Sequence, residues 1–508
     1  MSFRGVYTSV VELRQKVFTE VARMAFEGGD YSRIIDLPYR IIPGEVATYR
    51  ESVFLERAIV EERLRLAIGL PLRNMTEHAP VSNGIEESAI AEKYYDPPLV
   101  NIIKFACHSC PDQEMRVTDA CQGCLAHPCS EVCPRGAISI INGRSRIDES
   151  KCIKCGKCEN ACPYHAIMKM ERPCANACGV DAIGSDSLGR AEIDYDKCVS
   201  CGMCMVNCPF GAIADKGQIF QVIHAIKSGI PVYAAVAPAF VGQFGKELTS
   251  NRLREAMKEL GFADIVEVAV GADLCTIQEA QDFLDEVPEK RPFMATSCCP
   301  AWASMARKMF PDLADNISMA LTPMVLTGRL IKKEHPGCKV VFIGPCAAKK
   351  LEASRKEIRS DVDFVLTFEE VVGMFTAKGV DFNKIPADGT LSDASADGRG
   401  FAVSGGVAAA VVNCIKELAP DRTMQIAGAE GLRECRQLLS DAQKGKYNGY
   451  LLEGMACPGG CVGGAGTMQG PTKAKGQIVV IKKKSEKKNA LENTHKDKLD
   501  LLAERDKF

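Results

Sequence analysis

Residues 152–163 read CIKCGKCENACP and residues 198–209 read CVSCGMCMVNCP, so one cysteine spacing occurs twice in the chain. Each copy has three cysteines separated by two residues, then a fourth cysteine that is followed by proline. Three thiolates on one tight loop can each bind one iron of a [4Fe-4S] cubane, while the fourth reaches a neighbouring cluster. Zinc also binds paired cysteines, but it explains neither the third cysteine nor the Cys-Pro ending. The spacing therefore predicts iron–sulfur clusters.

Sixteen of the 25 cysteines fall between Cys107 and Cys208, enough for four clusters. A third run is Cys121-x2-Cys124-x4-Cys129-x3-Cys133-Pro, and two pairs remain, Cys107-x2-Cys110 and Cys174-x3-Cys178. If neighbouring repeats exchange their fourth cysteines, the sets are Cys121, Cys124, Cys129 with Cys162; Cys152, Cys155, Cys158 with Cys133; Cys198, Cys201, Cys204 with Cys178; and Cys107, Cys110, Cys174 with Cys208. Three clusters follow from the spacing, and the fourth is a hypothesis.

Two points about these cysteines stay open. The Cys107/Cys110 pair lies far along the chain from its partners and could be structural, and Cys178 is followed by glycine instead of proline. His127 could replace a thiolate, although a surface histidine is the simpler interpretation. A series of clusters in one region would carry single electrons between a surface docking point and a buried site.

The composition excludes several classes of protein. The 508 residues are 25% charged and 46% hydrophobic, and 63 basic against 65 acidic residues give a net charge of −2. A balanced chain has no overall basic field for nucleic acid. No apolar stretch reaches the roughly 18 residues of a membrane span, and the N-terminus lacks a signal-peptide pattern. We therefore expect a cytoplasmic protein whose clustered cysteines bind metal instead of forming disulfides.

The chain is expected to have a multidomain α+β and α/β fold in four parts. Residues 1–100 show helical periodicity. Residues 101–225 form a ferredoxin-like region in which four similar turn-into-strand units begin at Cys133, Cys162, Cys178 and Cys208. Residues 226–472 alternate apolar runs with helical stretches, which is typical of α/β domains. Residues 473–508, with 11 basic and 6 acidic residues, form a solvated helix, a loose tail or a docking segment for an acidic partner.

Three cysteine-containing loops follow candidate strands in the third part. The candidate strands are Val232–Ala237, Ile265–Val270, Pro292–Thr296, Lys339–Gly344 and Tyr450–Leu452, and a helix is predicted over Ala301–Phe310. The loops read TSCCPAW (296–302), GPCAAKK (344–350) and EGMACPGGCVGGAG (453–466). Because loops at the ends of strands in α/β sheets converge, we expect these cysteines to form one site.

In order and spacing the three loops resemble the signature motifs of the [FeFe]-hydrogenase family, over roughly residues 230–470. The ferredoxin-like region also fits modular forms of that family, and Ala301 and the Gly344–Cys346 segment are similar to its group B branch. The resemblance implies a catalytic domain that holds its cofactor, the H-cluster, between two lobes. It implies a [4Fe-4S] cubane on Cys299, Cys346, Cys457 and Cys461, with the Cys461 sulfur bridging to a diiron unit that carries CO, cyanide and an azadithiolate.

The resemblance also implies roles around that cofactor. Cys298 is not needed as a ligand, and a thiol with an ordinary pKa near 8.5 could pass protons. The family's proton relay continues at positions that match Glu279, Ser318 and Asp282, and Lys349 would offer its ammonium to a cyanide. The plain alternatives are solvated carboxylates on one helix face and a solvated lysine at a helix start, like Lys350. The remaining cysteines are predicted to be buried structural thiols, namely Cys275, Cys338, Cys414 and Cys435.

The implied reaction is reversible H2 oxidation and proton reduction. Ferredoxin or a similar one-electron carrier would exchange the electrons, and hydrogenase maturation proteins would install the cofactor. Three departures from the best-known members put rate, direction and oxygen sensitivity in doubt. Gly344 stands where Met is usual, Ala239 where a cyanide-bonding Ser is common, and the last loop runs Gly463-Gly-Ala-Gly466.

Rival interpretations come from two other classes of protein. Eukaryotic Narf-like relatives share the cysteines and serve in cytosolic iron–sulfur assembly without the diiron unit, but their first loop typically has a single cysteine where Cys298 and Cys299 stand here. A hydrogen sensor would use the same cofactor, but sensory relatives usually append a signalling domain. Coupling to NADH would need another chain, because the sequence has no flavin or nicotinamide fingerprint.

Overall fold

The computed structural model describes residues 5–245, 248–387, 391 and 393–503. Within these ranges no helix combines the length and the apolar character needed to cross a bilayer.

The N-terminal region is helical, as its periodicity predicts. Its helices are α1 (Ser9–Glu27), α2 (Leu37–Ile41), α3 (Val53–Ala67) and α4 (Ile85–Ser88). The side chains of Thr8 and Ser52 accept backbone N–H groups at the starts of the two long helices, which is the usual role of an N-cap. The buried faces of these helices join the main hydrophobic core, which includes Val21, Val60 and Leu64.

Short strands and one-turn helices build the cluster-binding region. The strands are β1 (Val100–Ile102), β2 (Gln113–Val117), β3 (Ile138–Ile141), β4 (Arg144–Ile147), β5 (Ile167–Glu171), β6 (Ile183–Ser185), β7 (Ala191–Ile193) and β8 (Ile213–Asp215). The helices are α5 (Pro128–Glu131), α6 (Lys157–Ala161), α7 (Pro173–Asn176) and α8 (Met203–Asn207). The strands form antiparallel pairs, β1 with β8, β2 with β5, β3 with β4 and β6 with β7. The predicted turn-into-strand units are confirmed, because they lead into β3, β5, β6 and β8.

Two parallel sheets organise the third part of the chain. The strands are β9 (Val232–Val236), β10 (Asp264–Glu267), β11 (Met294–Ala295), β12 (Lys339–Gly344), β13 (Phe364–Thr367), β14 (Gln425–Glu430) and β15 (Tyr450–Met455). One sheet has the order β10-β9-β12-β13 and the other β11-β15-β14, with all neighbours parallel. The expected alternation of strands and helices is therefore present, divided between two sheets.

Helices separate these strands and end the described chain. They are α9 (Ile219–Lys227), α10 (Ser250–Leu260), α11 (Val268–Glu286), α12 (Pro300–Met309), α13 (Pro323–Glu334), α14 (Ala348–Glu352), α15 (Phe368–Lys378), α16 (Ala396–Gly400), α17 (Gly406–Leu418), α18 (Leu432–Gln443), α19 (Pro471–Lys484) and α20 (Leu499–Ala503).

Three details differ from the sequence prediction. Residues 268–270 form the first turn of α11 instead of the end of a strand, since a short apolar run is compatible with either structure. β13 and β14 were not predicted, and the alanine and glycine of the QIAGAE segment in β14 are poor strand formers. Residues 473–503 do not form a loose tail, because Ile478, Leu499 and Leu502 are buried in the main core.

Candidate functional site

Four half-buried cysteines meet in one region at the ends of three strands, which come from both parallel sheets. Cys299 follows β11, Cys346 follows β12, and Cys457 and Cys461 follow β15. Burial, and then the charges of neighbouring thiols, raise the pKa of Cys346 and of Cys461 to about 12. The neighbours are the other cysteines of this set, so the structure brings the predicted ligands together.

The chemistry of these four donors fits a cubane. Thiols with a pKa as high as those of Cys346 and Cys461 become thiolates only when a bound metal supplies positive charge. No group of three or more His, Cys, Asp or Glu within the described ranges closes around the position of a single metal ion. A [4Fe-4S] cubane does not require such a group, because each thiolate binds a different iron.

Close backbone packing holds the three cysteine loops together. A Cβ atom added to Gly454 in β15 would lie 2.2 Å from the indole of Trp302 in α12, so the strand packs directly on that ring. The Trp302 Nε1–H donates a 2.9 Å hydrogen bond to the carbonyl of Thr296. A Cβ added to Gly464 would lie 2.4 Å from the Pro345 carbonyl oxygen. These contacts fix the strand and loop that carry Cys457 and Cys461 against the helix after Cys299 and the residue before Cys346.

A cavity of about 60 Å³ lies against these thiols. Its lining includes Cys298, Cys299, Cys461 and Lys349, and the rest is apolar. Ala239 lines the cavity without a hydroxyl. An added Cβ at Gly344 would lie 2.5 Å from the ring of Phe342, which lines the cavity, so a side chain there would require that ring to shift. The departure at Ala239 therefore removes a hydroxyl from the cavity wall, and the departure at Gly344 leaves the wall to the ring of Phe342.

Lys349 is buried beside the cavity and is not a solvated lysine. Its Nζ lies 2.6 Å from Glu352 Oε2 and donates to the Cys298 carbonyl at 3.3 Å. Burial is the largest single influence and lowers the pKa of Lys349, but the charge and hydrogen bond of Glu352, together with the charges of Cys346 and Cys298, raise it overall. Glu352, which also accepts from Thr322 Oγ1 at 2.8 Å, was not predicted. Its i,i+3 spacing from Lys349 on one helix was the available signal.

Lys350 is also buried, so the sequence interpretation of it as solvated is wrong. It is 2% exposed, and its Nζ lies 2.8 Å from Asp215 Oδ2 and 3.1 Å from Glu370 Oε2. Asp215 ends β8 in the cluster-binding region, whereas Glu370 belongs to α15. The ion pairs thus connect two parts of the chain beside the Cys346 loop.

The three predicted relay residues beyond Cys298 lie together. Glu279 is fully buried, and its Oε1 accepts from the Ser297 N–H at 3.3 Å. Burial raises the pKa of Glu279 to about 7, partly offset by hydrogen bonds from the Ser318 side chain and the Ser297 N–H. Asp282, half-buried one turn further along α11, raises the pKa of Glu279 through its charge. Glu279 is therefore not the solvated helix carboxylate that the sequence allowed as an alternative to a relay residue.

The pKa of Cys298 differs from the ordinary thiol value that the sequence analysis expected. Burial, followed by the charge of Glu279, raises its pKa well above the ordinary value. Cys275 lies close enough to raise it further. Cys275, Cys338, Cys414 and Cys435 are buried, as predicted, and no disulfide joins any of the 25 cysteines, all of which lie within the described ranges. The sequence nevertheless did not predict the proximity of Cys275 to Cys298, since nothing in the spacing of a helix residue and a residue of the following loop indicates such a contact.

The sixteen cysteines of the cluster-binding region are arranged as repeats. In each unit a backbone N–H donates to the sulfur four residues earlier: Ala137 to Cys133 at 3.3 Å, Ala166 to Cys162 at 3.4 Å, Ala182 to Cys178 at 3.3 Å and Ala212 to Cys208 at 3.4 Å. Similar bonds run from Lys154 to Cys152 and from Ser200 to Cys198, both at 3.4 Å, and from Ala191 to Cys107 at 3.3 Å. Such donors stabilise cluster-bound thiolates.

Neighbour relations agree with three of the predicted ligand sets. Cys158 interacts with Cys152 and Cys133, and Cys198 with Cys178. Cys107, Cys110, Cys174 and Cys208 line one small hollow. The Cys107/Cys110 pair, whose role the sequence left open, therefore lies beside two further cysteines. In the remaining set Cys129 Sγ lies 3.3 Å from Ser145 Oγ, and Ser145 also hydrogen-bonds Cys121. His127 is half-buried and precedes α5.

The sets also lie near one another in a series. Cys201 interacts with Cys346 of the catalytic loops, and Cys204 interacts with Cys174. Arg172 is the residue directly after β5, and its side chain donates a hydrogen bond to the Cys110 carbonyl at 2.8 Å. It thereby links the β2–β5 strand pair to the Cys107/Cys110 pair. These contacts place the predicted cluster sites next to one another, in a series that runs from the thiols of the catalytic loops to the β2–β5 strand pair.

Comparisons with known proteins agree with this division of the chain. Residues 230–465 match the family described as iron only hydrogenase large subunit, C-terminal domain. Residues 113–163 and 151–212 each match a 4Fe-4S dicluster domain. Iron hydrogenase 1 of Clostridium pasteurianum is 30% identical over 66% of this chain and 67% of that protein. The periplasmic [Fe] hydrogenase large subunit of Nitratidesulfovibrio vulgaris is 31% identical over 63% of this chain and 85% of that protein.

Proteins of a second kind are also similar to this chain, over a shorter part. Cytosolic iron-sulfur assembly component 3 of Bos taurus is 26% identical over 44% of this chain and 58% of that protein. The hydrogenase relatives match at higher identity and over more of both sequences. The chain therefore belongs to the iron-only, or [FeFe], hydrogenase family and carries an iron–sulfur region before its catalytic part.

Proposed function

We propose that this chain is a hydrogenase that oxidises H2 and reduces protons reversibly in the cytoplasm, exchanging electrons through [4Fe-4S] clusters. The observation that carries the proposal is the cavity beside Cys461. A protein that held only a cubane on four thiolates would have no use for a buried ammonium and a fifth thiol facing an apolar space. Here Lys349 and Cys298 both line that space, next to the cysteine that would bridge to a second metal unit.

Cys299, Cys346, Cys457 and Cys461 would hold the H-cluster, with the diiron unit in the cavity. When bound, that cofactor supplies the metal site at which H2 is split or formed. Lys349 presents a fixed ammonium at the cavity wall, because Glu352 and the Cys298 carbonyl hold it. The apolar lining, including Phe342 and Met455, excludes water from the site.

The protons follow a line of side chains to the surface. Cys298 keeps its proton at neutral pH because burial raises the pKa of its thiol, so it acts first as a donor. Glu279, whose pKa is raised to about 7, can both accept and release a proton near neutral pH. Ser318 and half-buried Asp282 continue the line from the buried carboxyl toward solvent.

The test is an anaerobic infrared spectrum of the chain after cofactor installation by hydrogenase maturation proteins. We expect bands of metal-bound CO and cyanide that shift under H2. Cys298→Ala serves as the comparison, with the bands retained and H2 turnover lowered at least about 100-fold. A fully iron-loaded sample without these bands would instead support an assembly role like that of the cytosolic relatives. Bands that shift without measurable turnover would support a hydrogen sensor.

A further inference from the structure

The N-terminal helical region covers one of the proposed cluster sites. Cys107, Cys110, Cys174 and Cys208 line one hollow, which we call the Cys208 hollow. Cys107 and Cys208 pack against an apolar group that joins α3 to the cluster-binding region and consists of Ile59, Leu66, Ile103, Ala106 and Ala212. A cluster in the hollow would therefore be shielded from water on the side of α3, where charges act through a low dielectric constant.

Arg63 of α3 reaches the turn that carries Cys208. Arg63 is 5% exposed, and its Nη2 donates to the Gly211 carbonyl. The Gly211 N–H donates in turn to the Cys208 carbonyl at 3.0 Å, so the guanidinium lies one short turn from this ligand. Burial, followed by the charge of Arg14, lowers the pKa of Arg63 to about 10, and the charge of Cys208 acts in the opposite direction. Arg63 is therefore a buried positive charge near a cluster ligand at neutral pH.

A second arginine approaches the same turn from the loop before α3. Arg50 is half-buried, and its Nη2 donates to the Phe210 carbonyl at 2.7 Å and to the Ala106 carbonyl at 3.2 Å. Ala106 directly precedes Cys107, and Phe210 lies two residues after Cys208. Arg50 thus places a guanidinium beside the backbone of two ligands of the Cys208 hollow.

Positive charge prevails on this side of the hollow. Glu369, a carboxylate that acts on Arg63, forms its ion pair with Arg14. Glu56 accepts backbone N–H groups of the loop before α3, including that of Arg50 at 2.8 Å. Three guanidinium groups therefore face two carboxylates, which leaves one positive charge in excess.

We propose that Arg63, together with Arg50, raises the reduction potential of the cluster in the Cys208 hollow. On reduction the cluster takes up one electron and gains one negative charge, and no bond is formed or broken. A fixed positive charge in a dry setting stabilises the reduced cluster more than the oxidised one, so the potential rises. The proposal rests on the electron-carrying clusters of the function proposed above, but not on H2 turnover.

This role belongs to a part of the chain outside the family matches, which begin at residue 113. Because Cys204 interacts with Cys174, the cluster would exchange electrons with the one beside the catalytic loops. The N-terminal helices would thus adjust one step of the electron path without supplying a ligand. The plain alternative is that both arginines only tie the Cys208 turn to the helices through hydrogen bonds.

The experiment is a redox titration of the full cluster-loaded chain at neutral pH, followed by electron paramagnetic resonance. Cys110→Ala identifies the signal of the cluster in the Cys208 hollow, because it removes one ligand. Arg63→Gln removes the charge but keeps a side-chain N–H donor, whereas Arg63→Lys keeps the charge.

Arg65→Gln is the matched control for Arg63→Gln. Arg65 lies on the same helix, is 4% exposed and donates to three backbone carbonyls, those of Pro71, Val81 and Asn83. Its charged neighbours include Glu62 instead of a cluster cysteine. The control therefore removes a buried arginine and its hydrogen bonds without removing charge from the Cys208 hollow.

We expect Arg63→Gln to lower the equilibrium constant for reduction of this cluster at least about tenfold, which is a potential about 59 mV more negative. Arg63→Lys and Arg65→Gln should each change that constant by less than about threefold, although Arg65→Gln also lowers the melting temperature. Arg50→Gln should shift the potential in the same direction by a smaller amount, because solvent screens a half-buried charge.

Three results would overturn the proposal. Equal potentials for Arg63→Gln and Arg65→Gln would show that Arg63 only holds the turn. If Arg63→Gln does not retain its clusters, an unchanged potential in Arg50→Gln decides against the proposal. Unchanged iron content and signals in Cys110→Ala would show that the hollow binds no cluster.

The two proposals can fail separately. If the potential shifts as expected but the cofactor-loaded chain neither makes nor consumes H2, the role of Arg63 stands and the hydrogenase function does not. If H2 turnover is measured and the potential of this cluster is the same in all variants, the hydrogenase function stands and the role of Arg63 does not.

Discussion

At the scale of single residues, burial decides what the ionisable groups can do. Glu279 and Lys349 carry side chains that are ordinary on a protein surface, yet each is enclosed and paired with specific partners. Glu279 keeps its proton to higher pH because a carboxylate is poorly solvated there. Lys349 keeps its charge because Glu352 compensates for the lost water. Both effects depend on neighbours contributed by other helices and loops, or by the next turn of the same helix.

The first prediction concerns the proton on Glu279. Its folded pKa of about 7 lies above the ordinary 4.5, so the folded state binds more protons between these values and stability falls as pH rises through them. Glu279→Gln removes this dependence. From pH 4.5 to 8 we expect the unaltered protein to lose up to about 3 kcal/mol more than the variant.

Thermal unfolding of the cluster-loaded proteins at a series of pH values measures this difference. The exposed Glu289→Gln serves as the control and should follow the unaltered protein. H2 turnover by Glu279→Gln should fall by roughly 100-fold or more, since a relay carboxyl is lost. Identical pH profiles for Glu279→Gln and the unaltered protein would show that this carboxyl is ionised in the folded state.

At the scale of elements, the site depends on how tightly β15 approaches α12. Gly454 lies flat against the Trp302 indole, and that contact sets the position of the loop that carries Cys457 and Cys461. The glycine at this position is required by the closeness of the ring, not by an unusual backbone conformation.

The second prediction tests that contact. Gly454→Ala places a methyl group 2.2 Å from the indole, so the ring or the strand must move. We expect a loss of about 1–3 kcal/mol in the free energy of unfolding and incomplete iron loading at the catalytic cubane. Gly428→Ala on the neighbouring strand β14 is the control, because its Cβ would be 3.4 Å from the nearest atom. Equal melting temperatures and iron contents in the two variants would contradict the packing argument.

At the scale of the whole molecule, a buried charge cluster joins the cluster-binding region to the catalytic part. Lys350 Nζ contacts Asp215, Glu370 and the Lys216 carbonyl, the last at 3.0 Å. This link lies close to the path that electrons would take, because Cys346 in the same loop interacts with Cys201.

The third prediction is that Lys350→Met strongly destabilises the protein. It leaves two buried carboxylates without their partner, which costs about 3–5 kcal/mol. Adding Asp215→Asn and Glu370→Gln should restore much of the stability, since neutral side chains need no counter-charge. Lys498→Met removes a partly exposed ion pair with Glu334 and should change stability by less than about 1 kcal/mol. Melting temperatures of the four proteins measure this, and a small effect of Lys350→Met alone would contradict it.

The sequence by itself determined the ligand loops and their order along the chain. Cluster ligation is a local requirement, so the spacing of residues 152–163 already predicts which cysteines share a loop. The strands before these loops were predicted for a similar reason, because the apolar runs and the cysteine loops are adjacent in sequence, although β15 continues to Met455 beyond the predicted end at Leu452. The resemblance to a known family then supplied the relay positions at Glu279, Ser318 and Asp282, which spacing alone did not indicate.

Only the tertiary structure decided how these groups behave. It placed Glu352 on Lys349, buried Lys350 between two carboxylates, brought Cys275 near Cys298 and left Cys155 alone exposed among the sixteen cysteines of its region. The physical reason is that solvation and charge depend on every segment packed around a group. A thiol or a carboxyl has the same sequence context whether it is buried or exposed, and its pKa is set by contacts between residues far apart in the chain.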